Sequence, residues 1–131
     1  MALTDLRNSA MMAHLLDSLE AGKDIGHYGR LVFAMVAQYF AEEDEIVTQL
    51  KKDQDFGEKE ARSLYQQVTS KNYSPPNRDT ILDYQKHQDF SICPNADDPD
   101  ACNVYRDLTF PTEVYESISD YQEQKTEEKV K

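Results

Sequence analysis

The stretch "GKDIGHYGRLVFAMVAQYF", Gly22 to Phe40, constrains this chain more than any other feature, because Leu31 to Ala37 within it is unbroken apolar sequence. A helix that is apolar nearly all round has no face to offer water and must sit at the centre of its domain. The spacing predicts this central helix over Tyr28 to Phe40, with the rest of the chain packed around it.

The remaining apolar residues recur at helical, not strand, spacing. Leu6, Ala13, Leu16 and Leu19, with Met12 and Leu15 beside them, predict a first helix capped by Thr4 or Asp5 and ended by Gly22. Ile46, Val47 and Leu50 stripe a third helix, opened by the acidic run "EEDE" that suits the positive end of a helix dipole. Ala61, Leu64, Tyr65 and Val68 seam a fourth, with Asp55 as its expected cap. "YSPPN" then interrupts, since consecutive prolines cannot continue a helix. Asn77 is the expected cap of a fifth helix carrying Ile81, Leu82 and Tyr84. Residues 89–109 read as one long irregular loop, a length that suggests function or a lost ligand in so small a domain. Pro111 suits the first position of a last helix with Val114, Ile118 and Tyr121 on its inner face. No alternating run predicts a strand. The expectation is an all-α single domain of about five to six helices over residues 1–121, followed by a polar, frayed tail at 122–131.

Charge narrows the function classes. Twenty-five acidic residues oppose fourteen basic ones, for a net charge of −11 and a pI near 4.6. Generic nucleic-acid binders are usually basic, so any phosphate binding must come from a local cluster working against the global field. The acidity otherwise reads as solubility, as a surface for a protein partner, or as a mimic of nucleic acid. No apolar run approaches the roughly 18 residues of a membrane span, and the N-terminus lacks a basic-then-apolar leader. The expectation is a soluble, intracellular, cytoplasmic protein.

Catalytic motifs are missing. There is no nucleophile elbow, phosphate-cradling loop or zinc-helix motif, and His14, His27 and His87 are scattered in sequence. The many carboxylates lie in solvated runs, without the apolar surroundings that would raise a pKa. Cys93 and Cys102 are too few for a disulfide framework or a four-ligand metal site. In a reducing compartment they are expected to be free thiols, with a disulfide as the first alternative and a metal as the second.

"HYGR", His27 to Arg30, raises a sharper question. The first N–H groups of a helix are unpaired and partly positive, so a cation there is unfavourable unless an anion arrives. In one reading the N–H groups, Arg30 and His27 converge on a bound anion, with Gly26 and Gly29 allowing close approach. In the other, Arg30 pairs with an acid such as Asp24 and the glycines only shape a turn. Arg62 and Arg78, near the starts of the fourth and fifth helices, either join the same pocket or form surface ion pairs of little worth.

In the order of these residues the chain resembles the C-terminal domain of the large subunit of archaeal and eukaryotic DNA primase. The resemblance runs from about Ala10 to Cys102. It rests on "MMAHLLDSLEAGKDIGHYGRLVF", with Leu15, Leu16, Leu19, Gly22, His27, Gly29, Arg30 and Phe33 in place. It continues through "DEIVTQL", then "DQDFGEKEAR" with Asp55, Phe56 and Arg62, then "YSPP" at Tyr73 to Pro76. The family holds a [4Fe–4S] cluster on four cysteines. The third and fourth fall on Cys93 and Cys102, but Met11 and Arg78 stand where the first and second would be. A thioether is a poor substitute for thiolate and an Arg cannot ligate iron, so no cluster is expected. Asp24, Gly26 and Gln38 stand where eukaryotic relatives often carry cations.

The resemblance implies a non-catalytic accessory module of a replicative primase, similar to a small cluster-less accessory subunit of some archaea. Its implied partners are the catalytic or large primase subunit, an initiating nucleoside triphosphate, and template-primer. His27, Gly29 and Arg30 carry the implied anion contact, Arg62 is its support, and Tyr28 is placed to stack on a base. Two rivals remain: an acidic protein–protein interaction domain that has kept the fold and lost the ligand, and a residual metal protein using Cys93 and Cys102.

Overall fold

The structure, a computed structural model, describes residues 3–71, 74–98 and 101–115. Its helices are α1 (Leu3–Leu6), α2 (Ala10–Glu20), α3 (Gly26–Ala37), α4 (Glu43–Leu50), α5 (Glu58–Ser70), α6 (Arg78–Gln85) and α7 (Val104–Asp107). A further helical stretch at 112–115 follows Pro111 and runs to the end of the described residues. No strand occurs among the described residues, so the all-α expectation holds. Ile118, Tyr121 and the tail at 122–131 lie outside them.

The long apolar run forms the centre. Val32 through Ala37 of α3 are buried, all but Met35 fully so. α3 packs against α2, α4, α5 and α6. Fully burying one such side chain is worth about 1.5–3 kcal/mol, so α3, together with the Met11, Met12, Leu15, Leu16 and Leu19 face of α2, supplies much of the apolar core. The helix starts before Tyr28, at Gly26, and stops at Ala37 instead of Phe40. Its apolar character outlasts its geometry: Tyr39 and Phe40 continue past the helix to pack edge-on against Phe110.

Three expectations about the other elements are corrected. The first helix is two helices, because Ser9 is extended (ψ 123°) and its hydroxyl accepts the Met12 N–H at 3.2 Å, opening α2 afresh. The cap of α5 is Gly57, not Asp55. The Asp55 N–H donates to Asp53 Oδ1 at 2.8 Å, which holds residues 53–55 in a turn short of the helix. The segment 89–109 is not one loop: Asn103 accepts the Tyr105 N–H at 3.2 Å and opens the short α7 inside it. By contrast, Asn77 caps α6 as expected, accepting the Thr80 N–H at 2.8 Å. Glu45 reaches back to the Glu42 N–H at the acidic start of α4.

The cysteines also depart from expectation. Cys93 and Cys102 are joined in a disulfide, Cα to Cα 5.8 Å, and are not free thiols. The turn at residues 94–97 and the positive φ of Cys102 (64°) reverse the chain and return its sulfur to Cys93. No described helix is long and apolar enough to cross a membrane.

Candidate functional site

The first turn of α3 has no capping side chain of its own at Ile25. Its orphan donors are satisfied from three other places. The Ile25 N–H donates to Asp53 Oδ2 at 3.0 Å, the Gly26 N–H to Asp24 Oδ1 at 2.8 Å, and the Tyr28 N–H to Gln88 Oε1 at 2.9 Å. Gly26 has φ +80°, and a Cβ there would fall on the Gln88 amide. Glycine is therefore required both by the backbone and by the approach of Gln88.

Arg30 answers to the same carboxylates. Its Nη1 lies 3.1 Å from Asp24 Oδ1 and 3.1 Å from Asp53 Oδ2. Its guanidinium sits over the Phe56 ring, 4.4 Å from the centroid. The Arg30 side chain is 12% exposed and that of Asp53 is 0%. The cation at the helix start is thus balanced from within the chain, as the pairing reading of Arg30 expects. Its Nε is buried and has no hydrogen-bond partner.

A groove of about 420 Å³ opens beside this arrangement, between the start of α3 and one face of α5. His27, Arg30, Phe56, Lys59, Ser63 and Gln67 are among its lining residues. His27 and Lys59 are exposed, while Phe56 is half-buried. Chemically this is an apolar patch flanked by the His27 imidazole, the Lys59 ammonium and the Glu60 carboxylate, with the Arg30 guanidinium, paired to Asp24 and Asp53, at its edge. The imidazole and ammonium can meet an anionic group attached to a flat or apolar body, with the Glu60 carboxylate opposing it.

The residues expected at the site separate accordingly. His27 and Arg30 line the groove together. Tyr28 stacks on Tyr84, with centroids 4.7 Å apart and planes 17° apart, so one ring face is taken. Gly29 is buried where a Cβ would come 3.1 Å from that of Ile25, a packing constraint. Arg62 is not among the groove's lining residues. It forms ion pairs with Glu43, Asp44 and Glu58 at 3.0–3.2 Å. Glu43, then Glu58 and Asp44, hold the Arg62 guanidinium above its usual range, while hydrogen bonds from Lys51 and Arg62 hold Glu58 below its own. Lys59 supplies the cation that Arg62 was expected to give. The signal for it was the four-residue spacing of Lys59, Ser63 and Gln67 along one face of α5.

Of the four positions that the resemblance aligns with cluster cysteines, Arg78, Cys93 and Cys102 lie in one region. Cys93 and Cys102 are bonded. Arg78, at the start of α6, donates from Nε to the Ala101 carbonyl at 3.1 Å, and from Nη2 to those of Ala96 and Asp98 at 2.8 and 3.2 Å. Met11 is fully buried on α2, one turn before His14. His14 Nε2 is hydrogen-bonded to the Ser91 carbonyl at 3.0 Å and its ring stacks on Phe90. The donor set does not fit a four-thiolate cluster. The two sulfurs are spent on each other, the Arg78 guanidinium has no lone pair to offer, and the fourth position is a thioether. Among the described residues, no group of three or more His, Cys, Asp or Glu could hold a metal ion.

No protein-family model, curated protein or solved structure matches this chain.

Proposed function

We propose that the chain is a non-catalytic accessory module of a replicative DNA primase, binding an initiating nucleotide or the 5′ end of a template-primer beside the catalytic subunit. The observation that carries this reading is the groove lined by His27, Lys59 and Arg30 beside the Phe56 ring. Those groups suit a triphosphate attached to a base. The gathering of Arg78, Cys93 and Cys102, with Met11 one turn from the His14 contact to Ser91, supports the primase-like resemblance independently of the groove. The acidic exterior would then face the catalytic or large subunit, since a net charge of −11 repels nucleic acid elsewhere.

One observation favours a second reading. The Asp24 carboxylate accepts from both Arg30 and the Gly26 N–H, where an incoming phosphate would sit. In that reading the chain is an acidic protein–protein interaction domain whose ligand site is filled from within.

Titration with ATP and with a 5′-triphosphorylated template-primer, over a series of salt concentrations, separates the two. The primase reading expects binding that weakens as salt rises and falls several-fold in Lys59→Glu and in His27→Ala. Equal, weak and salt-independent binding by wild type and both variants would leave only the interaction-domain reading.

A further inference from the structure

The disulfide is physically continuous with the first turn of α3. The Cys93 N–H donates to Gln85 Oε1 at 2.8 Å, which fixes the disulfide-bonded residue to the last residue of α6. Three residues beyond Gln85, the Gln88 amide bridges two segments. Its Nε2 donates to the Phe90 carbonyl at 3.0 Å and to the Ile25 carbonyl at 2.9 Å, and its Oε1 accepts the Tyr28 N–H at 2.9 Å. One side chain therefore ties the segment leading into Cys93 to both ends of the turn that carries His27. No backbone hydrogen bond joins these two segments among the described residues, so the coupling runs through side chains.

On the other side of Cys93, residues 94–98 are exposed. They are held by the disulfide itself and by the bonds of Arg78 to the Ala96, Asp98 and Ala101 carbonyls. Without the disulfide, the segment 86–93 is still anchored by the buried Ile92, by Gln85 and Gln88, and by the His14 contacts at Phe90 and Ser91, while the turn that follows Cys93 loses its covalent tie. An exposed turn such as 94–98 is where a chain opens locally, and the opening reaches the Gln88 bridge through Cys93 and Gln85.

We propose that the Cys93–Cys102 disulfide is a redox-sensitive tie that sets the order of the α3 first turn through Gln88. The step is an ordinary thiol–disulfide exchange with a dithiol reductant. A thiolate of the dithiol attacks one sulfur, the Cys93–Cys102 bond breaks, and a mixed disulfide forms. The second thiol of the reductant resolves it. The chain gains two thiols and the dithiol becomes a disulfide, two electrons and two protons passing to the chain. Cys93 and Cys102 are 2% and 3% exposed, so attack follows opening of the exposed turn at 94–98. The reduced chain has a looser Gln88 bridge and a less ordered groove wall at His27. The proposal concerns the same turn as the nucleotide reading, but its test contains no nucleotide, so the two stand or fall separately.

The test is amide hydrogen exchange on the whole chain, oxidised and after treatment with a dithiol, with mass spectrometry confirming that the disulfide is open. The Tyr28 amide should exchange faster by about tenfold after reduction, within the range of local opening equilibria. A Cys93→Ser/Cys102→Ser variant should show the fast rate with or without dithiol. Gln88→Ala should expose the Tyr28 amide in the oxidised form and abolish its response to reduction. Tyr28 protection that stays unchanged in a chain shown to be reduced would overturn the proposal. So would a response that persists in Gln88→Ala.

Discussion

Arg30 Nη1 lies 3.1 Å from Asp53 Oδ2, and Asp53 Oδ2 also accepts the Ile25 N–H that opens α3. One buried carboxylate therefore neutralises a cation and caps a helix. Asp53 Oδ1 takes the Asp55 N–H as well, so the side chain serves three donors on three separate residues. It links the turn after α4 to the start of the central helix.

Removing either partner of a buried pair leaves an uncompensated charge, which costs about 3–5 kcal/mol. Asp53→Ala is expected at the upper end of that range, because it also orphans the Ile25 and Asp55 N–H groups. Arg30→Ala is expected at the lower end, since Asp53 keeps its two backbone donors. The double variant Arg30→Ala/Asp53→Ala should cost less than the sum of its single changes. Urea unfolding of the set measures all four species. Strict additivity would show that the pair is not coupled.

Arg78 gives a second stability prediction. Its guanidinium serves three carbonyls of the disulfide-closed segment, at Ala96, Asp98 and Ala101. Bonds from a charged donor are worth about 1.5–3 kcal/mol each at best, and exposure reduces this, so Arg78→Met should cost about 1–3 kcal/mol in total. Reducing the disulfide should itself cost about 2–3 kcal/mol on the chain-entropy estimate. The two losses should be sub-additive, because an open segment no longer presents its carbonyls in one arc. Thermal melts of wild type and Arg78→Met, with and without dithiol, read the coupling directly.

These residues also show what was legible in advance. The all-round apolar character of Leu31 to Ala37 marked the core helix, because burial leaves a compositional trace. The Arg30–Asp24 pairing was one of two open readings, since the two residues are close in sequence. Asp53 was invisible, because its contacts to Ile25 and Arg30 span 28 and 23 residues and nothing local marks them. Gln88 was missed for the same reason, its partners being 60 and 63 positions away. The sequence leaves Arg62 between the pocket and a surface ion pair, because helix phase relative to a neighbouring helix is a tertiary property, and the structure shows the ion pairs. A reducing compartment favours free thiols, but compartment says nothing about the turn that returns Cys102 to Cys93.

Tyrosine burial sets the alkaline limb. Burial first, then the neighbouring Tyr39 and Tyr115, pushes Tyr105 well above its ordinary value of 10.0. Burial and Glu113 raise Tyr39 in the same sense. A raised folded value means that the stabilisation is fully present below about pH 10 and is lost as pH climbs towards the folded value. Tyr105 also donates its hydroxyl to the Pro75 carbonyl. Tyr105→Phe should therefore cost about 0.5–1.5 kcal/mol at neutral pH, and should flatten the decline in stability above pH ~10. Denaturant midpoints across the alkaline range give the comparison. A decline as steep as that of wild type would assign the limb to other groups.

Gly26 offers the most direct test of how the central helix is started. Its φ of +80° is strained for any residue with a Cβ, at roughly 1–2 kcal/mol. In Gly26→Ala the added methyl also meets the Gln88 amide, which is pinned at both ends to Ile25 and Tyr28 and to Phe90. Displacing that amide leaves the Tyr28 N–H without its acceptor and adds about 1–3 kcal/mol. Gly26→Ala should therefore destabilise more than backbone strain alone. Introduced into Gln88→Ala, the same change should cost only the backbone part, because the collision has already been removed. Equal costs in the two backgrounds would mean that Gln88 moves aside freely and does not hold the first turn of α3.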